Sequence, residues 1–215
     1  MYTVIGTPLT RTFRVLWALE ELGQPYQLNL HGPRSPEVQA LNVSGKVPVL
    51  QAEGEVITDS TAILTYLSDK HGALTAPAGT IARARQDAMT HLLLDEIDAV
   101  LWAAARHSFI LPEEQRVPEV KGSLKWEFAH NLAHLEDKMA GPFLMGEEFT
   151  IADIICTHCL NWARSAKFPV EGEKLQDYGK RMRERPAFQR VAALAKYSAA
   201  PRPAQRPVAR QAVSK

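Results

Sequence analysis

The chain has 215 residues, 46% hydrophobic and 23% charged, with a formal net charge of +1, the balance of a folded protein with a sizeable core and no bias toward nucleic acid or anionic membranes. No apolar run reaches the roughly 20 residues of a membrane span, and the start "MYTVIGTPLT" lacks the regions of a secretory signal. With 2 cysteines no disulfide framework is implied, so a cytoplasmic setting is expected.

In chain order, residues 2–5 read as a short strand. Residues 12–22 have helical spacing, with Val15, Leu16, Leu19 and Leu22 on one face and Glu20 and Glu21 on the other. Gly23 and Pro25 close that helix. Alternation makes 26–30 a second strand, and Ser35 with Pro36 opens a brief helix over 35–42. Short strands at 47–50 and 55–57 flank a Glu53-Gly54 turn, and a helix over 59–72 turns Ile63, Leu64 and Leu67 inward. The order is β-α-β-α-β-β-α.

Beyond residue 80 the pattern is helical. One long stretch covers 81–110 and ends at Pro112, a second covers about 117–139, a third starts at Thr150, and two shorter ones flank Pro186. The predicted class is therefore α/β plus all-α: a first domain over 1–72, a turn-rich linker over 73–80 and a helical domain over 81–198. The tail 199–215 is rich in proline, alanine and arginine and is expected to be extended or mobile.

Two neighbouring segments carry the chemistry. In "SGKVPVL" (44–50), a cis Val47-Pro48 bond would leave the backbone N–H and C=O of Val47 facing outward, where a peptide-like ligand pairs as an added strand. In "VITDSTAILTYL" (56–67), Asp59 and Ser60 open a helix whose free N–H groups receive a carboxylate, while Asp59 accepts from an ammonium group. Each piece alone also fits an edge-strand proline or a plain N-cap. Together they suit a small zwitterionic peptide.

These segments, with "FTIADI" at 149–154, resemble in order and spacing the motifs of the cytosolic glutathione S-transferase family, over about residues 1–198. The likeness is to a bacterial type with a serine- or threonine-like N-terminal site. It implies a thioredoxin-like N-terminal domain that binds glutathione as co-substrate and a helical domain that supplies the second-substrate pocket. It further implies a homodimer and a detoxification chemistry on small electrophiles, with no metal. Carried over by position, Val47, beside Pro48, meets the cysteinyl backbone of glutathione, and Asp59 and Ser60 hold the γ-glutamyl end. Lys46 matches a position that reaches the glycyl carboxylate, with Arg34 as a possible assistant.

Aligned with the serine-using classes, Thr10 takes the place of the catalytic serine, with Thr7 and Thr12 as alternative hydroxyls. Arg11 is expected to add positive charge there, and Arg14 to pair with a carboxylate. A free thiol has a pKa of about 8.5, and lowering it by about two units takes roughly 2.7 kcal/mol of preferential thiolate stabilisation. One hydroxyl donor contributes about 1.5–3 kcal/mol, and a helix N-terminus up to about 2 kcal/mol. Threonine acts here as a donor, not a base.

Two further segments complete the reading. In "DAVLWAAARHSFILPEE" (98–114), Trp102, Arg106, His107 and Phe109 are pocket candidates, together with Trp162 and Phe168; core packing is the competing role for each. In "FTIADIICTHC", Thr150 and Asp153 form a capping-box pattern. Cys156 and Cys159 resemble a redox pair, and with His158 a metal fragment, yet they fall well inside a helix and read as core cysteines. The leading function is a transferase that conjugates the glutathione thiolate to electrophiles, or reduces peroxides. The alternative is a non-catalytic glutathione-binding or assembly module on the same fold.

Overall fold

The computed structural model describes residues 1–199; the predicted tail lies, from residue 200, outside the described residues. The first unit runs β1 (Tyr2–Ile5), α1 (Thr12–Glu21), β2 (Tyr26–Asn29), α2 (Pro36–Leu41), β3 (Val49–Ala52), β4 (Glu55–Thr58) and α3 (Ser60–His71). The second is helical: α4 (Ile81–Leu92), α5 (Ala99–Ala105), α6 (Val120–Lys138), α7 (Ile151–Ser165), α8 (Glu173–Glu184) and α9 (Pro186–Ala199). The fold is the predicted thioredoxin-like α/β unit followed by helices.

The sheet order is β2-β1-β3-β4, with β1 parallel to β2 and antiparallel to β3, and β3 antiparallel to β4. Period-two alternation splits its apolar residues between two layers. Val4 and Leu50 join the main core with α1 and α3, whereas Ile5 and Val49 pack with Val38 of α2 in a smaller cluster. Strand β3 starts two residues later than its apolar run suggests. Val47 and Pro48 precede it, and the bond between them is cis, as expected.

Helix α1 is shared between the two units. Trp17 is fully buried, with its ring edge-on to Phe188 of α9 at 5.0 Å and 5.6 Å from Phe149. Its Nε1 donates to Glu21, whose carboxylate also takes two donors from Arg185. The linker is pinned as well. Buried Gln86 donates to the Thr75 hydroxyl and accepts from the Ala76 N–H, both at 2.8 Å.

The long helix expected over 81–110 is interrupted. Between α4 and α5 the chain makes π-helical turns at Leu93–Asp98, and again after α5 at Arg106–Ile110. A π turn winds in an extra residue, which rotates the next face by about 100°. Asp98 closes the first of these segments and faces α1.

Candidate active site at the domain boundary

Three chain segments converge because of strand register. Ile5 pairs with Val49, and Val49 pairs with Thr58. The turn after β1, the Val47-Pro48 segment before β3 and the Asp59-Ser60 start of α3 therefore leave the sheet at one end. Asp59 caps α3: its Oδ1 accepts from the N–H groups of Thr61 at 2.8 Å and Ala62 at 3.0 Å. It does so at φ 71°, ψ 127°, a backbone region that costs most L-residues about 1–3 kcal/mol. Lys46 is exposed, and Arg34, also exposed, donates its backbone N–H to the Gly45 carbonyl at 2.7 Å. A Cβ on Gly45 would come within 3.1 Å of Arg34, so glycine permits that approach.

The threonines form a tight turn. The Thr10 hydroxyl donates to the Thr7 carbonyl at 2.8 Å and accepts from the Thr12 N–H at 3.2 Å. Its second neighbour, the Thr12 hydroxyl at 3.0 Å, is then the donor in that contact. Thr12 is fully buried under Gly6, whose added Cβ would lie 2.2 Å from the Thr12 Oγ1. Thr12 is thus a packing residue of the turn. Thr10 and Thr7 are partly exposed, and Thr7 Oγ1 accepts from Leu9 N–H at 3.4 Å.

Beneath this turn lies a cluster that binds the two units together. The carboxylate partner expected for Arg14 is Asp98. Arg14 is fully buried and donates through Nη2 to Asp98 and through Nη1 to the buried Ser60 hydroxyl at 3.4 Å. Arg11 adds two bonds to the same carboxylate, through Nε and Nη2. Burial opposes ionisation of Asp98, but the charges of Arg14 and Arg11 hold it well below the usual carboxylate range. Two guanidiniums against one carboxylate leave the site net positive.

His158 of α7 sits at the same junction, with Nδ1 3.1 Å from Arg14 Nη2. A guanidinium only donates, so this nitrogen accepts and the ring is neutral. Burial first, and then the Arg14 charge, hold the His158 pKa well below 6.5, with hydrogen bonding to the Thr10 backbone working the other way. Burial pushes the Cys159 thiol up to about 12, against the pull of Arg14, and holds Cys156 well above the usual thiol range as well. Both thiols are free and buried, so the C-x-x-C spacing delivers core residues rather than a ready thiolate.

The pocket candidates divide. Trp102 and Trp162 both come to Arg11, their ring centroids 5.2 Å and 5.0 Å from its Cζ. Arg106 and Phe109 are exposed at the end of the helix, Phe109 at 65%. His107 accepts from Val117 N–H at 3.1 Å through Nδ1 and so anchors a loop. Phe168 is a correction. It is buried, edge-on to Phe128 at 5.4 Å, because the chain turns it back into the helical core.

Asp98 and His158 received no site role from the sequence. Asp98 precedes Trp102 by four, one turn on the same face, and a buried arginine on α1 needs a carboxylate. Those two signals were present. That His158 reaches Thr10 depends on how α7 packs against α1, which no local pattern encodes.

Compared with known proteins, residues 11–70 match the glutathione S-transferase N-terminal domain and residues 97–186 the C-terminal domain. The chain belongs to the glutathione S-transferase family. It is 30% identical to glutathione S-transferase GstA of Escherichia coli O157:H7, across 70% of this chain and 74% of that one. Its fold is similar to that of glutathione transferase URE2P6 from Phanerochaete chrysosporium, solved with oxidized glutathione (TM-score 0.76, 25% identity, 91% and 96% of the two chains). It is also similar in fold to a glutathione transferase of Methylococcus capsulatus (TM-score 0.80, 23% identity, 92% and 100%). Among the described residues, no helix is long and apolar enough to cross a membrane, and no group of three or more His, Cys, Asp or Glu is placed to hold a metal.

Proposed function

We propose that the chain is a glutathione transferase that stabilises the glutathione thiolate at the Thr10 turn and conjugates it to small electrophiles, with peroxide reduction as related chemistry. One observation carries the reading: the Ile5, Val49 and Thr58 register brings the hydroxyl turn, the Val47 backbone and the Asp59-Ser60 helix start to one end of the sheet. Val47 pairs with the cysteinyl backbone, Asp59 and Ser60 take the γ-glutamyl end, and Lys46 with Arg34 meets the glycyl carboxylate. The net positive cluster and the α1 N-terminus favour the anion. Family membership supports a homodimer and a cytoplasmic setting.

The alternative, a glutathione-binding module without turnover, is favoured by a different observation: the Thr10 proton already serves the Thr7 carbonyl. Redirecting it forfeits a bond of about 1 kcal/mol in exchange for one of about 1.5–3 kcal/mol to a thiolate. The balance favours catalysis. Titration calorimetry with glutathione on wild type, Asp59→Ala and Ser60→Ala, followed by conjugation of an activated aryl chloride, decides. Absent binding refutes both readings, and binding without turnover selects the module.

A further inference from the structure

The guanidinium of Arg11 is held beside two indoles and against a carboxylate. The Trp102 and Trp162 ring centroids lie 5.2 Å and 5.0 Å from its Cζ, and Nε and Nη2 both donate to Asp98. That leaves one edge. Among the described residues Nη1 has no hydrogen-bond partner, and the side chain keeps 27% of its exposure. Asp98 does not quench the charge, because Arg14 shares it. The other titratable neighbours, His158 and Cys159, are held neutral by burial.

The two bonds to Asp98 also fix direction. With two indoles beside it and two bonds to a buried carboxylate, the guanidinium has little rotamer freedom left, so a bond to its open edge costs little further ordering. An anion meeting Nη1 would gain a charge-assisted bond, about twice as strong as a neutral one, and a planar frame behind the anion would lie against indole. Arg11 follows Thr10 directly, so its side chain leaves the backbone beside the turn assigned to the thiolate.

We propose that the second substrate is a carboxylate-bearing planar electrophile, and that Arg11 selects it through Nη1 while Trp102 and Trp162 flank the unsaturated frame. This rests on the transferase reading above. The glutathione sulfur would form its bond to the electrophilic carbon of that frame. With an aryl chloride, chloride leaves with the electron pair of the carbon–chlorine bond.

The test compares two ligands by titration calorimetry: the S-dinitrophenyl conjugate of glutathione and its analogue with a carboxylate in place of the para nitro group. They match in shape and differ in charge. Wild type should bind the carboxylate conjugate tighter by about tenfold, and Arg11→Met should bring the two affinities within about twofold, one uncompensated contact having been removed. Equal affinities in wild type, or a preference that survives in a folded Arg11→Met, would overturn the proposal. The wild-type comparison decides even where the variant fails to fold. No binding of glutathione itself defeats the transferase reading, whereas glutathione binding with no preference between conjugates defeats only this one.

Discussion

Arg14 and Asp98, 84 positions apart, meet at the boundary between the two units, the arginine fully buried and the carboxylate nearly so. Neither could be buried alone, since an unpaired charge inside a protein is strongly disfavoured. The pair locks α1 to the end of the first π-helical segment and so positions the Thr10 turn, Ser60 and both indoles relative to one another. The Asp98→Asn variant strips the counter-charge from Arg14 and Arg11 together. We expect a loss of about 3–5 kcal/mol in urea unfolding. A loss below about 1 kcal/mol, the scale of an exposed pair, would mean that the cluster is not the anchor described.

Asp153 does a different job inside the helical unit. Its carboxylate accepts from the N–H groups of Leu144 at 2.9 Å and Thr150 at 2.8 Å, and from the hydroxyls of Thr150 and Tyr178. Asp153→Ala strands those donors and is expected to cost about 2–4 kcal/mol. Glutathione affinity of the folded fraction should be retained, because the cap lies outside the site. Unchanged thermal unfolding would contradict this account.

His158 predicts an acid limb in the stability profile. Its folded pKa lies well below 6.5, so below about pH 6.5 the unfolded chain binds a proton that the folded chain refuses. Stability from this group is full above that pH and declines as pH falls, by up to about 1.4 kcal/mol per unit. Denaturation at pH 5 to 7.5 should show a steeper fall in wild type than in His158→Gln. Parallel curves would remove His158 as the cause.

The hydroxyl assignment is tested on the bound thiol. Thr10→Ala should raise the glutathione thiol pKa by about one to two units, the value of one charge-assisted bond, and slow conjugation by about tenfold or more. Thr7→Ala should change either by less than about threefold. Thiolate absorbance against pH reads the first effect and initial rates the second. A larger effect at Thr7 would move the donor role there.

Local patterns made much of this protein legible. Strand and helix order follows from spacing, and Pro48, Asp59 and the Thr150-Asp153 cap are short-range signals whose chemistry acts within a few residues. The break in the 81–110 stretch was not legible, because a π turn keeps helical composition while shifting the face by one residue. The burial of Phe168 is illegible for a related reason: an aromatic side chain looks the same in sequence whether the chain turns it toward a cleft or into a core.

By itself, then, the sequence determined the two-part architecture, the Val47-Pro48 and Asp59-Ser60 segments proposed for glutathione and the threonine turn, since each depends on periodicity or on backbone chemistry next to the residue concerned. Only the tertiary structure decided that Asp98 holds both arginines, that His158 reaches the turn, and that Arg11 meets both Trp102 and Trp162. Arg14 alone meets Asp98 and His158 from 84 and 144 positions away. Those contacts exist because burying a charge requires a partner wherever in the chain one can be found, and that search is settled by packing.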